Sequence, residues 1–153
     1  MDLAALLHER TVKVPLEALD KEEAIAELVE LLVRAGQVQD RDAVLDALYE
    51  RETKGSTGIG GGVAVPHAKS PDIRGVVLAA GVSWDGIEFE AADGELVYLV
   101  FLLMAEAHNP GPNVEVLADI GYLMQLPGLY EEMVAAKHAD QFIHAIRNVR
   151  VEQ

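Results

Sequence analysis

The chain has 153 residues, half of them hydrophobic, and sets 12 Lys and Arg against 26 Asp and Glu for a formal net charge of −14. That length suits one compact domain burying roughly 68–70% of its unfolded surface, the apolar share argues against disorder, and the acidity excludes binding to nucleic-acid backbones or acidic membranes, which depends on Lys and Arg. There is no cysteine, which excludes disulfides, thiolate metal sites and a cysteine nucleophile and fits a reducing cytoplasm.

Read in chain order, Met1-Asp2-Leu3 shows no basic region followed by an apolar one, so no secretory leader is expected. Residues 3–7 predict a short helix and residues 11–14 a strand. Asp20 followed by Glu23 resembles a capping box, and Ile25, Leu28, Val29 and Leu32 then share one helical face until Gly36 stops the run. A second helix starts at Asp40 with Val44, Ala47 and Leu48 inward, and it ends near Arg51 and Glu52. Residues 63–65 predict a short strand. Residues 76–82 and 96–104 are nearly continuous apolar runs, as expected of strands covered on both faces.

Between those runs Ile87 and Phe89 alternate with Glu88 and Glu90, and Asp93-Gly94 marks a tight turn, so some pairing is antiparallel. The apolar run at 96–105 is about half the ~20 residues a bilayer requires, and no direct membrane insertion is expected. Pro110, Gly111 and Pro112 break the chain. A helix follows with Val114, Leu117, Ile120 or Gly121, and Met124 inward. Residues 128–136 predict another helix, and Asp140 caps a last one carrying Phe142, Ile143, Ile146 and Val149 on one side. The fold expected is a single α/β domain over residues 1–153, its mixed parallel/antiparallel sheet flanked by helices on both faces.

One stretch carries chemistry: Arg51-Glu52-Thr53-Lys54-Gly55-Ser56-Thr57-Gly58-Ile59-Gly60-Gly61-Gly62-Val63-Ala64-Val65-Pro66-His67-Ala68-Lys69. It is neither of two better-known glycine motifs. A dinucleotide fingerprint counted from Gly58 places Val63 where its third glycine belongs, and a P-loop needs Lys-Ser/Thr after its last glycine. Glycines allow positive φ and close backbone approach. Successive loop amides can form an anion cradle, to which Ser56 and Thr57 add hydroxyl donors. Pro66 fixes its own φ and biases Val65 to extended backbone, which restricts the direction in which His67 leaves the strand. An imidazole beside an anion cradle is what phosphoryl transfer through histidine requires.

The same stretch resembles the active-site signature of the bacterial phosphotransferase-system enzyme IIA proteins of the fructose/mannitol type, a family that includes the nitrogen-regulatory enzyme IIA proteins. The matching residues are Arg51-Glu52, Ser56 to Gly60 and Pro66-His67. The resemblance implies that His67 accepts and donates a phosphoryl group, with a neutral ring nitrogen as nucleophile. Ser56, Thr57 and loop amides such as that of Gly58 then bind its oxygens. Arg51 offsets charge, Glu52 orients Arg51 or a loop amide, and Lys69 can assist. Positioning and charge stabilisation are the main demands of such chemistry. No cofactor is implied, and no histidine cluster has metal-ligand spacing.

The chain departs from the family at one point. Many members carry a second histidine followed by leucine after the long strand, where this sequence has Asn113-Val114. An asparagine amide donates to a phosphate oxygen but carries no charge, and it equally suits a helix N-cap. His108 in the same connection is either a replacement imidazole or surface loop. The family implies an HPr-type phosphocarrier protein as phosphoryl donor. Downstream stand regulated protein partners, as for a nitrogen-type regulator, or a separate IIB component, as in sugar transport. A non-catalytic binding module is the third reading.

Overall fold

The computed structural model describes residues 2–109 and 111–152. Its organising element is β6 (Val97–Glu106), a nearly continuous apolar strand whose alternate side chains enter two separate cores. Leu99, Phe101 and Leu103 face one core, and Val100, Leu102 and Met104 face the other. The period-two geometry of a strand produces this split. Helices α2 (Lys21–Arg34) and α3 (Arg41–Thr53) supply the second core. The first is closed by α1 (Leu3–Leu6), α4 (Gly111–Leu123), α5 (Leu129–Val134) and α6 (Ala139–Glu152). The sheet is thus covered on both faces, as the apolar runs predict.

The sheet order is β1 (Val12–Lys13), β5 (Val76–Ile87), β6, β3 (Val63–Ala64), β2 (Gly58–Gly60), with β4 (His67–Ser70) also paired to β6. Antiparallel β5–β6 and β2–β3 pairs combine with parallel β1–β5, β3–β6 and β4–β6 pairs. Strands β3 and β4 lie end to end along β6 in one register: Val63 faces Leu99, Ala64 faces Val100 and His67 faces Leu103. Pro66 interrupts the ladder because it has no N–H. Its carbonyl still accepts from the Leu103 amide at 2.9 Å. His67 is therefore not past a strand end, as its sequence context predicts. It opens a second strand at the sheet edge.

Several expectations need correction. The glycine segment is a strand and turn, β2 and β3 folded as a hairpin, rather than an open loop. Residues 58–60 and 67–70 carry too little apolar alternation to be read as strands. In α4 the buried positions are Asn113, Val116, Ile120 and Leu123, whereas Val114 is 62% exposed. The helix begins at Gly111, so Asn113 lies in its first turn and is not its N-cap. Asp140 likewise falls inside the first turn of α6, which starts at Ala139. Asp20 does cap α2, accepting from the Glu23 amide at 2.8 Å. The Glu23 carboxylate reaches the Leu19 amide instead of completing a box on Asp20.

Gly62, at the hairpin turn, shows why glycine is required there. Its φ is +81°, and a Cβ on it would lie 2.1 Å from the Tyr130 hydroxyl. That hydroxyl donates to the Gly62 carbonyl at 3.3 Å, which ties the hairpin to α5. Gly62→Ala is expected to lower stability by about 1–3 kcal/mol, the usual cost of a side chain forced into left-handed backbone. Urea denaturation measures it; an unchanged midpoint would mean that Tyr130 yields without cost.

Candidate functional site

His67 sits half-buried on the edge strand β4, and its Nδ1 lies 2.7 Å from the Val65 carbonyl oxygen. A carbonyl only accepts, so Nδ1 is the donor. In the neutral ring the lone pair then belongs to Nε2, because each ring nitrogen's role is set by its partner's hydrogen bond. The extended backbone before Pro66 supplies this tether, two residues back along the chain.

The ring lines an open cleft of about 330 Å³ together with Ala47, Glu50, Arg51, Lys54, Ala68, Lys69 and Asn113. Three elements build it. Ala47, Glu50, Arg51 and Lys54 follow i, i+3, i+4, i+7 spacing, the one-face repeat of a helix, and so form a stripe at the C-terminal end of α3. Strand β4 brings His67, Ala68 and Lys69. Helix α4 brings Asn113 in its first turn, where helix geometry favours negative charge. Three cations thus gather beside one imidazole in a protein of net charge −14. Lys54 was not singled out from sequence, although the α3 repeat beginning at Ala47 contains the signal.

Asn113 is 8% exposed, and its Oδ1 has no hydrogen-bond partner among the described residues. An unsatisfied buried polar atom costs about 1–3 kcal/mol, and here it belongs to a residue that lines the cleft. Arg51 is partly anchored: its Nη1 donates to the Gly55 carbonyl at 2.8 Å. Lys54 Nζ lies 3.9 Å from the Glu50 carboxylate, an exposed and therefore weak pairing.

The other residues singled out from sequence lie elsewhere. Thr57 is buried, and its hydroxyl donates to the Glu52 carboxylate while its amide lies 3.3 Å from the same group. Lys21 Nζ stands 3.4 Å from that carboxylate. Glu52 thus orients the loop through Thr57, while Arg51 turns to Gly55. The Ser56 hydroxyl donates to the Phe89 carbonyl and accepts from the Gly58 amide. The Gly61 amide goes to Asp93. Ser56, Thr57 and Gly58 do not line the cleft, and neither does His108, which is exposed on the turn after β6. The structure therefore brings together His67, Arg51, Lys69 and Asn113, and spends the hydroxyls on the loop itself.

This arrangement separates two roles for Thr57. Thr57→Val removes one donor from a buried carboxylate and is expected to cost about 1–3 kcal/mol of stability. Thermal unfolding checks it, and unchanged stability with slowed phosphoryl uptake would assign the hydroxyl to the site instead.

A tetrahedral anion beside a tethered imidazole, near cations and a helix start, is what this geometry can hold on its α/β scaffold. Residues 5–149 match the family described as phosphoenolpyruvate-dependent sugar phosphotransferase system, EIIA 2. The chain belongs to that family and is a phosphotransferase component. It is 34% identical over 146 residues to the PTS system fructose-specific EIIABC component of Bacillus subtilis, covering 95% of this chain but only 23% of that protein's length. It is 30% identical over 148 residues to the nitrogen regulatory protein of Bradyrhizobium diazoefficiens, covering 95% and 94% of the two chains. Among solved structures it resembles nitrogen regulatory protein IIA-Ntr from Neisseria meningitidis, with TM-score 0.86, 25% identity and coverage of 94% and 98%. Among the described residues no helix is long and apolar enough to cross a membrane.

Proposed function

We propose that His67 is the phosphoryl acceptor of a regulatory, nitrogen-type enzyme IIA. The observation that carries this is the tether of Nδ1 to the Val65 carbonyl, on a ring that lines a cleft with Arg51, Lys54 and Lys69. The donor is the phosphohistidine of an HPr-type carrier. His67 Nε2 attacks its phosphorus, a new N–P bond forms as the donor's N–P bond breaks, and the electron pair returns to the donor ring. The Nδ1 proton stays on its carbonyl. Arg51, Lys54 and Lys69 offset the charge of the phosphoryl oxygens, and the Asn113 amide, turned to present Nδ2, donates one hydrogen bond. Each such bond to a charged group is worth about 1.5–3 kcal/mol. Ser56, Thr57 and Glu52 act one step back, by fixing the hairpin and the C-terminal end of α3.

Phosphorylation adds about −1.5 to −2 charge, by analogy with other phosphorylated side chains, and so alters an interface. The regulatory reading is supported by likeness to nitrogen regulatory proteins along nearly their whole length. The sugar-transport reading, in which phosphate passes to a separate IIB component, is supported by the higher identity to the fructose-specific relative. In either case the protein works in the cytoplasm, where its phosphocarrier is found.

The test is incubation with enzyme I, an HPr-type carrier and labelled phosphoenolpyruvate. Acid-labile label on the chain is expected. Onward transfer to a sugar-specific IIB partner would overturn the regulatory role in favour of transport. Failure with any phosphocarrier would leave a binding module.

A further inference from the structure

The charges are unevenly distributed along the chain. Residues 75–136 contain three Asp and seven Glu but no Lys or Arg, so all 12 cations lie outside this segment. The same segment carries most of an aromatic and aliphatic surface at the end of the sheet nearest the glycine hairpin. Trp84 and Ile59 are each 53% exposed and Leu96 is 39% exposed. Tyr98 and Tyr130 join the hairpin side of this surface to Leu96. Tyr98 lies beside both Gly62 and Gly86, and Leu96 also crowds Gly86, where a Cβ would meet it at 3.0 Å. Ile59 and Tyr130 line one cleft of about 410 Å³ with Met124 and Leu126, and Trp84 Nε1 donates to the Ala136 carbonyl just beyond α5 at 3.4 Å.

The rim is acidic. Glu131 lines this cleft, and Glu132 lines a neighbouring one that shares Leu126, Pro127 and Gly128 with it. Asp93 accepts from the Gly61 amide at 3.0 Å, and hydrogen bonds from the Gly61 and Glu95 amides hold its carboxyl below the ordinary carboxylate range. Glu95, whose amide donates to Asp93 at 3.0 Å, is exposed, as is Asp85 next to Trp84 in the chain. No lining residue is shared with the His67 cleft.

We infer that this face docks a short, lysine- and arginine-rich amphipathic segment of a partner protein. Its apolar side chains would pack on Ile59, Trp84, Leu96 and Tyr130, and its cations would meet the rim carboxylates. Exposed Trp84 and Ile59 beside half-buried Tyr98 and Tyr130, with charge nearby, is the aromatic-rich composition of an energetically productive interface. An anionic lipid surface or a nucleic acid would meet only repulsion here, and two copies of the same acidic face would repel each other. Attraction across such a rim acts mainly on association rate and weakens with salt. The inference does not depend on His67 accepting phosphate.

Trp84 is the only tryptophan in the chain, so the patch carries its own reporter. The probe is an amphipathic helical peptide of leucine and lysine, with a leucine–glutamate peptide as its counterpart. The lysine peptide is expected to produce a saturable blue shift of Trp84 emission, and the glutamate peptide none. Charge reversal at the rim, Glu131→Lys with Glu132→Lys, is expected to weaken binding about tenfold or more. The same charge change on exposed positions of α3, Asp42→Lys with Asp46→Lys, is expected to leave the affinity within about twofold. Ile59→Ser, which removes an exposed side chain and spares the core, is expected to weaken binding as well. The inference is overturned by a silent Trp84, by equal losses in the two charge-reversed pairs, or by a response to the glutamate peptide. It is also overturned if anionic vesicles, or self-association without peptide, shift Trp84.

Discussion

A His67→Ala variant will take up no acid-labile phosphoryl label from a phosphorylated HPr-type carrier, under conditions in which the parent chain is labelled to completion. The expectation rests on His67 being the one imidazole among the residues that line the cleft. Its other lining residues are alanines, a glutamate, an arginine, two lysines and an asparagine. None carries an imidazole ring. The substitution is also mild for the fold. His67 is half-buried on an edge strand, and its pairing with Leu103 runs through the backbone, which alanine retains. Circular dichroism and the unfolding midpoint should therefore stay close to those of the parent. Persisting acid-labile label on a folded variant would move the acceptor elsewhere, with exposed His108 the first position to examine.

The sequence made the two-faced sheet legible because β5 and β6 are apolar on every residue that meets a core, a pattern that surface strands lack. It made α2 and α3 legible through their caps: Asp20 accepts from Glu23 and Asp40 from the Ala43 amide at 3.1 Å. The short strands were hidden for a physical reason. Gly58–Gly60 pairs with Val63–Ala64 a few residues on, and His67–Ser70 with β6 far along the chain; both form through the backbone, so their side chains need no alternation. The inward face of α4 is hidden in the sequence because a polar residue, Asn113, occupies its first buried position, while the apolar repeat alone points to Val114.

Arg51, His67 and Lys69, which the ordered stretch singles out, do meet in one cleft. What the order could not reveal is that the hydroxyls of Ser56 and Thr57 are already engaged. A hydroxyl near a glycine turn can serve the turn as readily as a ligand, and the choice depends on Glu52 and Phe89, whose positions only the fold sets. Lys54 as a site residue is not legible in the sequence, because its place on the stripe with Ala47, Glu50 and Arg51 matters only once β4 lies beside α3.

Arg51→Ala is expected to slow phosphoryl uptake by about tenfold or more, equivalent to about 1.4 kcal/mol or more of transition-state stabilisation. A guanidinium presents a rigid fork of donors suited to phosphoryl oxygens. Arg51 occupies the α3 stripe facing His67, with one Nη1 bond spent on the Gly55 carbonyl. That bond complicates the variant, since losing it also frees the last turn of α3 and the start of the hairpin. Two measurements separate the effects. If charge at the phosphoryl group is what matters, Arg51→Lys should recover part of the rate, and the unfolding midpoint of Arg51→Ala should fall only slightly. If the Gly55 anchor is what matters, stability and rate should fall together, and lysine, which lacks the planar fork, should rescue neither. An unchanged rate would remove Arg51 from the site and leave Lys54 and Lys69 as the cations that meet the phosphoryl group.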